Sequence, residues 1–303
     1  MDARLQPLPF DAAALHRLSA GLIESHHQNN YGGAVKRLNA IRAQLDTTAF
    51  ATAPGFQLNG LKGEELIATN SMLLHELYFA SLGGDGQSME PACQLALDAN
   101  FGSVERWREE FIAMGKALGG GSGWVLLVFQ PREGTLLNQW AADHTHALAG
   151  GVPILALDMY EHAYHIDYGA AAGLYVDAFM ANIDWPAVYA RYQRAVHAAS
   201  ETFGAVHDEV GGAMLLDVRR AGMFEQADSL IPDARWCDPA AVAAWAGELP
   251  AEREVVVYCV HGHELSRATA LRLRAAGVNA RFLRGGIDGW RATGRPLADK
   301  LGG

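Results

Sequence analysis

The chain has 303 residues, half of them hydrophobic, a length that favours two domains, each large enough to bury a core. Its 24 Lys+Arg against 34 Asp+Glu give a formal net charge of -10 with no basic run, which speaks against a nucleic-acid partner. Cys93, Cys237 and Cys259 are widely spaced and odd in number, an argument against a disulfide framework and for a reducing compartment. No apolar stretch follows Met1-Asp2-Ala3-Arg4, and the run Trp124 to Phe129 is too short to span a bilayer, so the expected address is the cytoplasm, away from membranes.

From residue 11 to about 118 apolar residues recur at helical period, in stripes Leu15, Leu18, Leu22, then Leu66, Ile67, Leu73, Leu74, Leu77, then Val104, Trp107, Phe111, Met114, Leu118. The glycine run 119–123 ends this half, and strands are expected at 124–129, 135–140 and 152–157, with a turn at 131–134. Helices resume after Asp158, and Asp184-Trp185-Pro186 reads as an acidic N-cap with an early proline, opening a helix to about Ala199. Small and polar residues then suggest a linker at 201–212. Beyond it, strands at 213–218, 254–259 and 280–283 alternate with helices at 239–247 and 265–276, the pattern of a parallel sheet covered on both faces. The expected fold class is α/β. A helical part, about 1–100, and an α/β part with a small three-stranded sheet, about 101–200, precede a parallel-sheet domain at 213–303.

The first chemical signal lies in Leu155-Ala156-Leu157-Asp158-Met159-Tyr160-Glu161-His162-Ala163-Tyr164, where an apolar strand ends in a carboxylate and an imidazole follows four residues later. This is half of a metal site, and its mixed N/O ligation suits iron, manganese or zinc. His26 and His75 lie on helical stripes of the first half, where an isolated histidine is ordinarily a satisfied core residue. The run 158–164 resembles the Asp-x-Trp-Glu-His-Ala-Tyr signature of the iron/manganese superoxide dismutase family, with Tyr160 in place of tryptophan. Leu18-Ser19-Ala20, Glu24-Ser25-His26, the stretch Val35 to Asn39 and Gly121-Ser122-Gly123-Trp124 resemble that family in order, over roughly residues 8–197.

The resemblance implies that His26, His75, Asp158 and His162 hold one iron or manganese ion per subunit, with a solvent in the fifth position. Cycling between +2 and +3, such an ion converts two superoxide and two protons to dioxygen and hydrogen peroxide. His144, in Asp143-His144-Thr145-His146, falls where the family places a histidine or glutamine donating to the metal-bound solvent. The other readings of that stretch are a polar surface loop or an independent His144–His146 metal pair. In the family, Glu161 reaches a metal-bound histidine of the neighbouring subunit, which implies a homodimer. Departures are Asn30 and Ala34 in place of the histidine and tyrosine of the substrate gate, and Ser71, Leu74 and Phe79 around the second ligand. His165 replaces a tyrosine, so that Asn30 and His165 are candidates for a substitute hydrogen bond. None of these changes touches the four ligands.

The second signal is Cys259, which ends a strand and precedes Val260-His261-Gly262-His263-Glu264-Leu265-Ser266 and a helix. A helix N-terminus favours the thiolate, and a thiolate becomes a persulfide by attacking a sulfane donor, although a lone cysteine after a strand is ordinarily a small buried residue. Leu216-Asp217-Val218-Arg219, Ile231-Pro232-Asp233-Ala234 and the run Leu283 to Trp290 resemble, in order, the flanking motifs of a rhodanese-like domain across about 206–300. Rhodaneses commonly carry an arginine late in the loop, where this chain has Glu264 and Leu265. A carboxylate near the sulfur would oppose thiolate formation and repel thiosulfate, with His261 and His263 offsetting some of that charge. Cys93 and Cys237 have structural settings. The expected function is a superoxide dismutase carrying a rhodanese domain with Cys259 as persulfide carrier, the halves working separately at the chemical step. The alternatives are a sulfur-handling enzyme whose metal half acts on persulfide or sulfide carried by Cys259, a non-catalytic metal-binding or sensing module, and a regulatory rhodanese fold without turnover.

Overall fold

The computed structural model describes residues 2–250 and 252–300. Helices α1 (Ala20–Ser25) and α2 (Gly32–Asp46) run into one another through a π-helical turn, His26–Tyr31. Ser19 starts α1, its hydroxyl accepting from the Leu22 N–H at 3.1 Å, which satisfies one of the orphan donors of the first turn. Helix α3 (Gly55–Phe79) packs back along α2 as the second arm of a hairpin. Its buried face differs from the leucine stripe expected: Leu66 and Leu73 are each 49% exposed, whereas Ala68, Ser71, His75, Tyr78 and Phe79 are buried. Leu74 and Leu77 of the stripe are half-buried against the core, and the fully buried positions beside them combine small, polar and aromatic side chains.

Helices α4 (Pro91–Phe101) and α5 (Val104–Ala117) lead to β1 (Trp124–Gln130), β2 (Thr135–Ala141) and β3 (Val152–Asp158). These form an antiparallel sheet in the order β2-β1-β3, and Trp124 at the start of β1 pairs with Asp158 at the end of β3. The chain returns through the short α6 (His165–Tyr168), α7 (Ala172–Met180) and α8 (Trp185–Ser200). Asp184 caps α8 as predicted, accepting from the Ala187 N–H at 3.2 Å, and Pro186 sits in the first turn.

The C-terminal elements are β4 (Gly204–Ala205), β5 (Met214–Asp217), α9 (Ala221–Glu225), β6 (Ser229–Leu230), β7 (Arg235–Trp236), α10 (Val242–Trp245), β8 (Val255–Tyr258), α11 (Glu264–Ala275), β9 (Ala280–Leu283), α12 (Gly286–Ala292) and β10 (Ala298–Asp299). Five of the strands make a parallel sheet in the order β4-β9-β8-β5-β7, and β6 pairs antiparallel with β10. The helix expected at 239–247 is broken into a 3-10 turn, the single turn α10 and a second 3-10 turn. The segment read as a linker is structured. Its 3-10 turns at Glu201–Phe203 and His207–Glu209 flank β4, which is the edge strand beside β9, and Arg284 Nη2 donates to Glu201 O at 2.8 Å. Its glycine and polar residues serve turn and edge-strand geometry there.

Helix α11 packs against α8, and its Ala268 and Leu271 belong to the same apolar cluster as the core of the N-terminal half. The β1–β2 turn also reaches it. Gly134 has φ +65°, and a Cβ there would lie 2.6 Å from the Cβ of Leu271, so both the turn and the close approach require glycine. No helix of the described residues is long and apolar enough to cross a membrane.

Candidate metal centre

Three imidazoles and one carboxylate meet in the core of the N-terminal half. His26 comes from the start of the π-helical turn, His75 from the inward face of α3, Asp158 from the end of β3 and His162 from the 3-10 turn Glu161–Ala163. One ligand atom from each lies within 4.8 Å of all the others. The Asp158 Oδ2 is the focus, 3.1 Å from His26 Nε2, 3.2 Å from His162 Nε2 and 3.5 Å from His75 Nε2. The remaining polar atoms of Asp158 are held from behind: its Oδ1 accepts from the Tyr160 N–H at 2.9 Å and its carbonyl accepts from the Tyr175 hydroxyl at 2.8 Å. His75 Nδ1 donates to Ser71 O at 2.6 Å, which leaves the Nε2 lone pair facing the cluster. The Nδ1 of His26 has no hydrogen-bond partner among the described residues.

Electrostatics and geometry both fit a cation. Burial pulls His75 down to about 3 despite the opposing pull of the Asp158 carboxylate, and burial likewise lowers His26, so both rings are neutral. Burial alone would raise Asp158, but the imidazoles of His162 and His26 hold its carboxyl well below the usual range. The result is a buried box with a carboxylate charge, and among the described residues no lysine or arginine is hydrogen-bonded to it. His75 Nε2 and His162 Nε2 face each other at 3.4 Å, where two lone pairs repel unless a proton or an ion lies between them. Nitrogen and oxygen donors in this set suit iron or manganese.

Aromatic rings enclose the cluster. Tyr160, standing where the family has tryptophan, lies between His144 (4.8 Å between centroids, 12° between planes) and His162 (5.4 Å, 15°). Trp124 Nε1 donates to His144 Nδ1 at 3.0 Å, which assigns the neutral ring's proton to Nε2. His144 thus stands beside the four-residue cluster, whereas the His146 Nδ1 accepts from the Ala142 N–H at 3.1 Å. Asn30, Ala34, Arg37, Ser71, His75, His144 and His162 line a cavity of about 240 Å³ leading to the centre. A phenol the sequence reading missed, Tyr31, is buried with its ring 6.3 Å from that of His75. Its hydroxyl donates to Glu76 at 2.8 Å and accepts from the Gln6 N–H at 3.0 Å, so its proton is committed away from the cluster. Behind the centre, Arg191 of α8 donates to Ile154 O (2.7 Å), Ala80 O (2.9 Å) and Ser81 Oγ (3.0 Å), tying β3 to the end of α3. Glu161, His165 and Ile166 are exposed beside His162.

The cysteine loop has a different setting from the one expected. Cys259 is buried and unpaired, as are Cys93 and Cys237, and its Sγ lies 3.3 Å from Ser266 Oγ. Glu264 does not face the sulfur. Its carboxylate turns to α8, where it accepts from the Tyr189 hydroxyl and, at 3.1 Å, from Gln193 Nε2. Arg267, three residues beyond Glu264, donates from Nε to Gly262 O at 3.0 Å, while its Nη1 goes to Ser200 and Glu201. His261 Nδ1 pairs with Asp288 Oδ2 at 2.9 Å.

A His₃Asp centre beneath a helical hairpin and an antiparallel sheet, with a parallel-sheet domain attached, defines a metalloprotein built for a redox-active ion. The model for the C-terminal domain of iron/manganese superoxide dismutases matches residues 89–191, and that for the rhodanese-like domain matches residues 203–293. A superoxide dismutase [Fe] of Cupriavidus metallidurans is 65% identical over 192 residues, 63% of this chain and 97% of that protein. A superoxide dismutase [Mn] 1 of Halobacterium salinarum is 37% identical over 199 residues (64% and 96%), and a superoxide dismutase [Fe] of Aquifex pyrophilus is 33% identical over 192 residues (61% and 88%). The chain belongs to the iron/manganese superoxide dismutase family and carries a C-terminal rhodanese-like domain.

Proposed function

We propose that the chain disproportionates superoxide at an iron or manganese ion held by His26, His75, Asp158 and His162. The observation that carries this reading is the convergence of three imidazole nitrogens on one largely buried carboxylate oxygen to which, among the described residues, no lysine or arginine is hydrogen-bonded. The bound ion supplies the one-electron cycle between +2 and +3 that turns two superoxide and two protons into dioxygen and hydrogen peroxide. The protein supplies the rest. Arg37, at the cavity wall, is ion-paired with Glu64, and Asn30 and Ala34 leave the passage wide where a histidine and a tyrosine would narrow it. His144 holds a proton on Nε2 beside the cluster, oriented by Trp124 and by the face of Tyr160. Metal analysis of protein from its native host, run with a superoxide-decay assay, tests the assignment. About one iron or manganese per subunit and decay that is lost on metal removal are expected. Fully loaded protein that leaves superoxide untouched would favour the sensing alternative.

We propose further that Cys259 forms a persulfide. Its thiolate attacks the outer sulfur of a sulfane donor such as thiosulfate, a new S–S bond forms, and sulfite leaves with the electron pair of the broken bond. Glu264 faces α8 and so does not repel such a donor. Mass spectrometry of Cys259 after donor treatment checks this, and an unmodified thiol at saturating donor would leave the domain a regulatory role. The division of the chain near residue 201, a homodimer through the face bearing Glu161, His165 and Ile166, and a cytoplasmic address complete the proposal. Sedimentation velocity tests the dimer: a monomer at micromolar concentration would refute it.

A further inference from the structure

We infer that helix α8 of the dismutase half holds the Cys259 loop closed, with Glu264 and Arg267 as positioning residues, so that access to the thiol is set across the domain junction. The first part of the loop is fixed inside its own domain, by the Ile287 N–H donating to Cys259 O at 3.0 Å and the Asp288 N–H to Val260 O at 3.1 Å. The second part is fixed from outside. Glu264, 7% exposed, finds both of its side-chain donors, Tyr189 and Gln193, on α8. Arg267 links Gly262 O of the loop to the far end of the same helix and the 3-10 turn that follows it, donating from Nη1 to Ser200 Oγ at 3.3 Å and to Glu201 Oε2 at 2.9 Å. Its guanidinium also lies over the Phe282 ring, 4.1 Å from the centroid, so its path is fixed. His263 faces His197 of α8 with 6.0 Å between ring centroids.

These contacts sit where the thiol is covered. Cys259 is 6% exposed, and its sulfur abuts Ser266 in the first turn of α11, between the two clamped residues. A reagent reaches the sulfur when that turn moves, and movement of the turn carries Glu264 off its donors. Opening therefore gives up the two charge-assisted hydrogen bonds that α8 supplies to Glu264, and is opposed by groups on the dismutase side. The hairpin tip adds a steric restraint on the same helix, since Gly134 lies against Leu271, Ala268 O and Arg272 N. The inference is independent of whether Cys259 carries sulfur, because it concerns access alone.

The test uses the full, metal-loaded chain and iodoacetamide as the probe, with the alkylation of Cys259 and of Cys237 followed separately by peptide mass spectrometry. Two sets of substitutions act from the dismutase half: Tyr189→Phe with Gln193→Leu, which removes the donors, and Gly134→Ala, which wedges the hairpin from α11. Cys259 should react about tenfold faster or more in the first, by local opening, with an intermediate rate for Tyr189→Phe alone. Cys237, buried in the same domain but outside the clamp, should keep its wild-type rate, and superoxide decay should persist. Folded variants with an unchanged Cys259 rate would overturn the inference. So would a parallel rise at Cys237, which would mean that the domain unfolds as a whole.

Discussion

The metal centre and the cysteine loop are built on opposite plans. The centre draws its four residues from a π-helical turn, a long helix, a strand end and a 3-10 turn, far apart in sequence, yet every contact that orients them comes from their own half. The loop is one continuous stretch, but the groups that satisfy Glu264, and one of the two that receive the head of Arg267, belong to the other half. A site can therefore be local in sequence and dependent in space, or scattered in sequence and self-sufficient.

Removal of a ligand should give the largest effect. His26→Ala, His75→Ala and His162→Ala are each expected to lose the ion and superoxide decay with it, and Asp158→Asn to weaken binding or alter the redox behaviour. Chelation should destabilise the wild type by about 4 kcal/mol where free ion had stood near 1,000 times its Kd. Full iron or manganese occupancy in the three histidine variants would break the picture of a self-sufficient centre. Cys259→Ser should abolish persulfide formation and leave superoxide decay unchanged; a slower metal reaction would instead favour a sulfur-handling enzyme that uses both halves. For His144→Leu, metal content should hold while turnover drops roughly 10- to 100-fold, as for loss of a group that orients the reacting shell. Equal turnover would show that the proton comes from elsewhere. The smallest change is expected from Asn30→His combined with Ala34→Tyr, about severalfold in turnover at constant metal content, since these positions line the passage and do not touch the ion. Steady-state kinetics with metal analysis would detect it.

Much of this was legible in the sequence because the signals were local. The strands of the antiparallel sheet, the Asp184 cap of α8 and the Asp158–His162 pair each rest on residues a few positions apart, and the family resemblance supplied His26 and His75. The inward face of α3 was only partly legible from hydrophobic period, because Leu74 and Leu77 do pack inward while Ala68, Ser71 and His75 share that face and Leu66 and Leu73 turn outward. Nor was the partner of Glu264: its donors lie on a helix of the other half, and a carboxylate next to a cysteine in sequence reads as a neighbour of the sulfur until packing turns it away. Arg267 was overlooked for a related reason. It lies outside the expected loop positions, and its guanidinium folds back to Gly262, five residues earlier and outside the helix. The π-helical turn, which carries His26 and Tyr31, has no residue pattern that announces it.

Helix α8 bears on how this chain could be re-engineered. It is 16 residues long, and different side chains serve different neighbours, with Arg191 bracing the strand and helix behind the metal and Tyr189 and Gln193 receiving the C-terminal domain. A single-domain dismutase offered as recipient for this rhodanese-like domain would need more than a compatible tether. Without a hydroxyl and an amide at the matching places, a transplanted Glu264 would meet an unprepared wall, and without glycine at the hairpin tip the incoming helix would not seat. Grafting must therefore exchange the helix and its guest together.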